Sequence, residues 1–348
     1  MKTLRKLIAA LLVCCMALPL AACGEVQATE KQLFAMNSAV TIKAYGKNAE
    51  AGLNSAASVI SALDSSLDPE REGSTLYNIN SAAGDGIVIT GQVAEMLQTA
   101  RTVYDATGGA LDLSVYPLVK AWGFVDGLYR VPSEDEIESL VKNVDFSAAT
   151  LSAMTDTDSY LFTLPVGMEF SFASLGRGCA AMYAARAMQT SGVEAGIVSI
   201  GGNIQTLGDK PDGLPWIIAV QDPANPSAYA CTLNLSGSHA VSTSGGYQRY
   251  FTDEKDNTWT HIIDPGDGYP ADSGVLSATV VAENGIYADA LSTALCVMGE
   301  DRAKDLYQDS TDFEMVLLTD DGRILVSEGL SEAFERSGDG YTLEYVRK

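Results

Sequence analysis

Apolar positions along the chain fall into short runs of two kinds, and their spacing sorts them. Ala51 to Leu67 carries Leu53, Ala56, Ile60 and Leu63 at helical spacing, and Gly91 to Ala106 carries Val93, Met96, Leu97, Ala100 and Val103 in the same way. Thr107-Gly108-Gly109 stops the second run. SEDEIESLVK (133–142) starts with a serine N-cap followed by acids in the first turn, which predicts a short surface helix. Further helices are expected over Leu175–Ser191, Ile286–Met298 with a stop at Gly299, and Arg302–Gln308. Between them lie β-branched or alternating stretches that predict strands at Gln32–Tyr45, Tyr160–Leu164, Glu169–Ala173, Ala195–Ile200, Trp216–Asp222, on both sides of Ser236–His239, and at Ala278–Ala282, Met315–Thr319 and Ile324–Ser327. Helix and sheet are mixed throughout, so the expected class is α+β, with mixed sheets packed against helices.

The N-terminus is of another kind. MKTLRKLIAALLVCCMALPLAAC (1–23) runs from basic residues through an apolar stretch to small residues and a cysteine, the pattern of an export signal. Leu20-Ala21-Ala22-Cys23 resembles a bacterial lipobox, so residues 1–22 are expected to be removed and Cys23 lipidated. Residues 23–31 would then tether a domain at 32–348 to the outer side of the cell membrane. Three cysteines remain in that domain, Cys179, Cys231 and Cys296, with no metal-ligand spacing, and buried free thiols are expected.

Of 348 residues, 45 are acidic and 22 basic, a formal charge of −23. Removing residues 1–22 takes three basic residues away and deepens it to −26. Such a balance argues against nucleic acid as a partner. An anionic ligand would need a cation or a few well-placed donors.

Candidate chemistry gathers where glycine clusters interrupt apolar elements, in TGGALDLSVYPLVKAWGF (107–124), SLGRGCA (174–180), VSIGGNIQTLG (198–208) and the long stretch 242–270. There is no Walker A loop, and Gly201-Gly202 lacks a dinucleotide fingerprint. His261, in THIIDPGDGYP, is suited to moving a proton, and equally to a structural hydrogen bond with Asp264; His239 reads as structural. In YADALSTAL (287–295), Asp289 and Thr293 share one face of a helix and can offer two oxygens to a hard cation. An aspartate this near a helix N-terminus is also explained by the macrodipole alone.

Taken in order, AMNSAV, STLYNIN (74–80), TGGALDLSVYPLVKAWGF, SLGRGCAA, IVSIGGNIQTLG, PWIIAVQDP (215–223), STSGGYQRYF, HIIDPGDGYP and ADALSTAL resemble the ApbE family of FAD:protein FMN transferases over nearly all of the domain. The resemblance implies a T-fold-like architecture. It also implies Mg2+-dependent transfer of FMN from FAD to a threonine or serine hydroxyl of an exported flavoprotein, releasing AMP. It assigns Asp289, Thr293 and the Ser174 carbonyl to Mg2+, and Met36, Ala110, Leu111, Asp112, Arg177 and Ile263 to FAD. Gly201, Gly202, Thr243, Ser244 and Gly245 would line the same cleft. His261 is the expected general base, with Asp264 orienting it. Where many members read Asp-Leu-Gly-x-Ile-Ala-Lys-Gly, this chain has Ser171 for the acid and Arg177 for the lysine, and Asp267 stands where a threonine is usual. Two other functions use the same residues: an FAD pyrophosphatase, and a flavin-binding lipoprotein without catalysis.

Overall fold

The computed structural model of the protein describes residues 27–155 and 157–348; the signal and Cys23 lie outside them. Nine strands form one sheet, and each lies beside its neighbour in sequence. They are β1 (Thr29–Ala35), β2 (Ser38–Ala44), β3 (Gly196–Ile200), β4 (Asn203–Leu207), β5 (Ala240–Gly245), β6 (Val275–Ala282), β7 (Phe313–Thr319), β8 (Arg323–Ser327) and β9 (Thr342–Val346). All neighbours are antiparallel except β8 and β9.

Strand periodicity assigns successive side chains to opposite faces, and the two faces bury different partners. Ala278, Val280 and Ala282 of β6 belong with Met315 and Leu317 of β7 to the larger core. The intervening Val281, Val316 and Leu318 join a second core under Trp216, Ile218, Val220 and Leu233. Four helices fill the first face: α1 (Ala49–Ser66), α2 (Gly91–Thr107), α3 (Gly176–Thr190) and α4 (Gly285–Met298). A three-stranded sheet of Trp216–Asp222, Asn225–Leu235 and Phe334–Arg336 covers the second. A third cluster, Leu118, Trp122, Phe124, Ile137 and Ile263, binds the 113–144 lobe to the 250–270 loop.

The helix layer is organised by its smallest residues. Helix α4 is buried nearly all round, as a helix apolar on every side must be. It crosses α3 so closely that a Cβ on Gly178 would stand 2.1 Å from the Gly285 carbonyl oxygen, and one on Gly285 would stand 2.6 Å from the Gly178 oxygen. No rearrangement of a flexible side chain relieves either contact, because both obstacles are main chain.

Several expectations need correction. Gln32–Tyr45 is two strands, reversed at Met36-Asn37, and β1 begins at Thr29, inside the stretch expected to be a tether. Glu169–Ala173 forms no strand: the Asn80 side chain accepts from Phe170 N–H (2.8 Å) and donates to Phe170 C=O (3.0 Å), so one amide takes the place of a ladder. Strand β4, right after the Gly-Gly turn, was not anticipated, and neither were β9, the Gly86–Thr90 strand or the Thr75–Ser81 helix. Cys179, Cys231 and Cys296 are buried free thiols, as expected.

Gly178→Ala should lower folding stability by about 1–3 kcal/mol or more in urea or thermal unfolding, the usual scale of overpacking. Gly340→Ala, whose Cβ meets nothing within 4 Å, should leave it unchanged.

Candidate active site

At one end of the sheet two tight turns lie side by side, because β2 pairs with β3 up to Val40 opposite Ile200. The β1–β2 turn places Met36 and Asn37 both at φ 53°, a conformation uncommon for residues with a side chain, and the Asp64 carboxylate accepts from Met36 N–H at 2.7 Å. The β3–β4 turn is Gly201-Gly202. Gly201 sits at φ 59°, and a Cβ on Gly202 would lie 2.5 Å from the Thr243 oxygen, so glycine lets the turn sit against β5. The N-terminus of α3 meets both turns. Met36 Cε lies 3.4 Å from where a Gly176 Cβ would stand, and Arg177 Cδ lies 3.8 Å from where a Gly201 Cβ would stand.

Asp289 is buried on α4 behind these turns, 2% exposed. Its Oδ2 accepts from Gly178 N–H at 2.8 Å. Gly178 is the third residue of α3, so its N–H has no carbonyl within the helix to bond, and Asp289 supplies the acceptor. The Ser174 carbonyl, just outside the helix, is free of hydrogen bonds among the described residues. Burial pushes the Asp289 carboxyl above its ordinary value, against the pull of the Arg177 charge and of hydrogen bonds from Gly178 and Asn203. One turn on, Thr293 Oγ1 lies 3.1 Å from Ser244 Oγ, which is 2.8 Å from Ser292 Oγ. Among the described residues no group of three His, Cys, Asp or Glu side chains forms a metal cluster. A cation here would draw on one carboxylate, hydroxyls and a free carbonyl, the oxygen donors of a hard ion such as Mg2+. The donor set fits that group, and the under-compensated carboxylate calls for positive charge.

On the other face of the sheet, across the Gly201-Gly202 turn, opens a cavity of about 410 Å3. Arg177, Gly201, Gly202, Thr243, Arg249, His261, Ala219 and Gln221 are among its walls. Arg177 Nε is buried with no hydrogen-bond partner, an orphaned cationic donor at the mouth of a cleft. Such a group is costly unless an anion completes it.

His261 Nδ1 lies 3.1 Å from the Arg249 carbonyl. A carbonyl only accepts, so Nδ1 carries the proton and Nε2 keeps a free lone pair. Burial lowers the His261 pKa to about 4, with the Arg249 and Arg177 guanidiniums pushing the same way. The ring is only half-buried by surface area, yet protein encloses it closely enough for the direction of the shift to hold. At neutral pH it is an uncharged base.

The expected residues divide accordingly. Arg177, Gly201, Gly202, Thr243 and His261 share the cavity; Asp289, Thr293, Ser244 and the Ser174 turn gather behind it. Asp264 needs correction. Its Oδ1 accepts from Gly266 N–H at 2.8 Å, capping its own turn, and the group that orients His261 is the Arg249 carbonyl. Asp112 is likewise occupied, accepting from Ser114 N–H (2.8 Å) and Phe146 N–H (2.9 Å), so its carboxylate holds the lobe together. Ala110 and Leu111 are buried beside it, Ile263 lies in the third cluster, and Gly245 ends β5. Asp267 caps Tyr269 N–H at 2.9 Å on the surface, so the extra carboxylate is spent locally. Sequence reasoning missed Arg249 and Asn203. Asn203 Oδ1 accepts from Ser242 at 2.6 Å, which leaves its Nδ2 as the donor to Asp289. An amide side chain directly after the Gly201-Gly202 turn was the available signal.

The chain is similar to known proteins. A protein from Escherichia coli (strain K12) named FAD:protein FMN transferase is 32% identical over 218 residues, covering 62% of this chain and 61% of its own length. The chain thus aligns with about three fifths of that relative. One of the same name from Vibrio cholerae is 30% identical over 257 residues, 72% of this chain and 75% of its own. The crystal structure of an ApbE protein from Thermotoga maritima superposes with a TM-score of 0.81 at 28% identity, covering 89% of this chain and all of that one. A flavinyl transferase ApbE from Pseudomonas stutzeri in its apo form gives 0.77 at 26% identity, over 90% and 98%. The sequence model of the ApbE family matches residues 36–317, the span that holds both turns, the free carbonyl, His261 and Asp289, and the chain belongs to that family.

Proposed function

We propose that the protein transfers FMN from FAD to a serine or threonine hydroxyl of an acceptor flavoprotein, with Mg2+ bound and AMP as the leaving group. One observation carries the reading: Arg177 has an orphaned buried donor at a point flanked by the Asp289 carboxylate on one side and the neutral His261 on the other. That is what a pyrophosphate between a cation and a base requires. The names of the relatives support the same activity.

Asp289, Thr293 and the Ser174 carbonyl would hold Mg2+, which when bound offsets phosphate charge within a chain of net negative charge. Arg177 supplies a fixed donor to the phosphate oxygens. The acceptor hydroxyl loses its proton to His261 Nε2 as its oxygen forms the bond to the FMN phosphorus and the bond from that phosphorus to AMP breaks. AMP departs as a phosphate anion and needs no proton; His261 returns its own to solvent. The Arg249 carbonyl keeps Nδ1 protonated throughout, so the tautomer is fixed. An incoming pyrophosphate neutralises both guanidiniums that depress His261, which moves its pKa back toward neutrality when a base is needed. The sequence of residues 1–23 supports a lipid anchor at Cys23 that keeps this chemistry outside the cell membrane.

His261→Gln should lower FMN transfer by about a hundredfold or more, the usual share of a general base. In the wild type kcat/KM for FAD should stay level as pH falls from 8 toward 5 and drop as the free imidazole protonates near its pKa of about 4; the variant should lose that limb. An acid limb that persists unchanged in the variant would mean His261 is not the base.

Folding raises the Asp289 pKa, so the metal-free protein loses stability as pH climbs from the unfolded value through the folded one. At pH 7, Asp289→Asn without metal should therefore melt no lower than the wild type. Mg2+ at a hundredfold excess over Kd should stabilise the wild type by about 2.7 kcal/mol and leave Asp289→Asn where it was. Equal shifts in both would remove Asp289 from the metal site.

A further inference from the structure

The three-stranded sheet over the second face ends in a free edge, the strand Trp216–Asp222. Which of its main-chain groups are unpaired follows from the central strand Asn225–Leu235. Asn234 N–H goes to Ala333 C=O at 2.8 Å, and Ala230 C=O accepts from Ser337 N–H at 2.9 Å, so even-numbered residues there face the Phe334–Arg336 side. Leu235, Leu233 and Cys231 therefore face Trp216, Ile218 and Val220, their register partners. The N–H and C=O groups of Ile217 and Ala219 point the other way, out of the sheet.

Natural edges are usually blunted by proline, lysine or a covering element. WIIAVQD contains neither proline nor lysine, its β-bulges fall at Val220–Asp222 beyond the two free positions, and Ile217 is 67% exposed with Tyr229 of the next strand at 58%. This edge also runs into the candidate active site: Ile218, Ala219, Gln221 and Tyr229 share the cavity with Arg177 and His261. An extended segment laid along Ile217 and Ala219 enters that cavity from the face opposite Asp289. A hydroxyl on it would reach His261 while the phosphates lie toward Arg177 and α3.

We propose that the acceptor binds by strand addition: its segment carrying the serine or threonine pairs in extended form with the free edge at Ile217 and Ala219. The proposal rests on the transferase reading above and adds the mode of docking. Main-chain pairing supplies affinity without regard to side chains, and the cavity admits one small hydroxyl residue at the end of the paired segment. The edge is unblunted because it is used.

The experiment compares the wild type with Ile217→Pro and Ile217→Lys, using FAD, Mg2+ and a flavoprotein domain that gains the mass of FMN in the presence of the wild type. Proline at Ile217 removes an N–H that no strand of this protein uses, and Ile217 is exposed and outside the cavity walls, so melting temperatures and the slow release of FMN to water without acceptor should be unchanged. The acceptor KM should rise about tenfold or more in each variant, the scale of one or two main-chain hydrogen bonds, with the KM for FAD unchanged. Hydrogen exchange on the wild type should show the Ile217 and Ala219 amides protected by saturating acceptor. Unaltered acceptor KM in either well-folded variant, or no added protection at these two amides while transfer proceeds, overturns the proposal. If the wild type gives only free FMN with every acceptor domain, the transferase reading falls first, before any variant is compared.

Discussion

Everything at the candidate site depends on how closely α3 and α4 approach. With Gly178 against Gly285 the two main chains nearly touch, and only then does the Gly178 amide reach the Asp289 carboxylate. That single hydrogen bond has two effects. It satisfies an N-terminal donor of α3 that no carbonyl of the helix can take, and it fixes the Asp289 carboxylate at that helix end. The absence of side chains at two positions thus lets a carboxylate on one helix cap the N-terminus of the other.

The sheet divides the labour between its faces. The helix face holds Asp289 with the hydroxyls of Ser244, Ser292 and Thr293, and the other face holds His261 and the cavity. Between them stands a turn of two glycines, thin enough for Arg177 to pass beside it. Cation site and base are therefore separated by one layer of backbone. In a protein with 45 acidic and 22 basic residues, this is one of the few places where two arginines, Arg177 and Arg249, act on the same group.

The elements that bury one face or stripe could be read from the sequence. The helices at Ala49–Ser66, Gly91–Thr107 and Gly176–Thr190 follow apolar periodicity, and Gly108 in the left-handed conformation ends the second where the Gly-Gly pair said it would. The misses are physical. Met36-Asn37 forms a hairpin turn without glycine, so no turn signal broke the predicted strand. Glu169–Ala173 has strand composition but is held by the side chain of Asn80, a long-range contact that no local pattern encodes. At the site, residue type and spacing brought out Asp289, Thr293 and His261. The partner of His261 was misread as Asp264 because proximity in sequence stood in for geometry: the turn at 264–269 consumes that carboxylate, and a carbonyl from β5's downstream loop does the orienting.

The order of the strands has a consequence for how the chain assembles. In a sheet whose neighbours follow the sequence, each new strand adds to an edge that already exists, so growth can proceed from the N-terminus as the chain is made. The step from β2 to β3 is the exception. The β1–β2 hairpin must wait for α1, α2, the 113–144 lobe and α3 before its partner is synthesised, and closing that loop is the entropic bottleneck of the fold. Until then the inner edge of the hairpin stays unpaired.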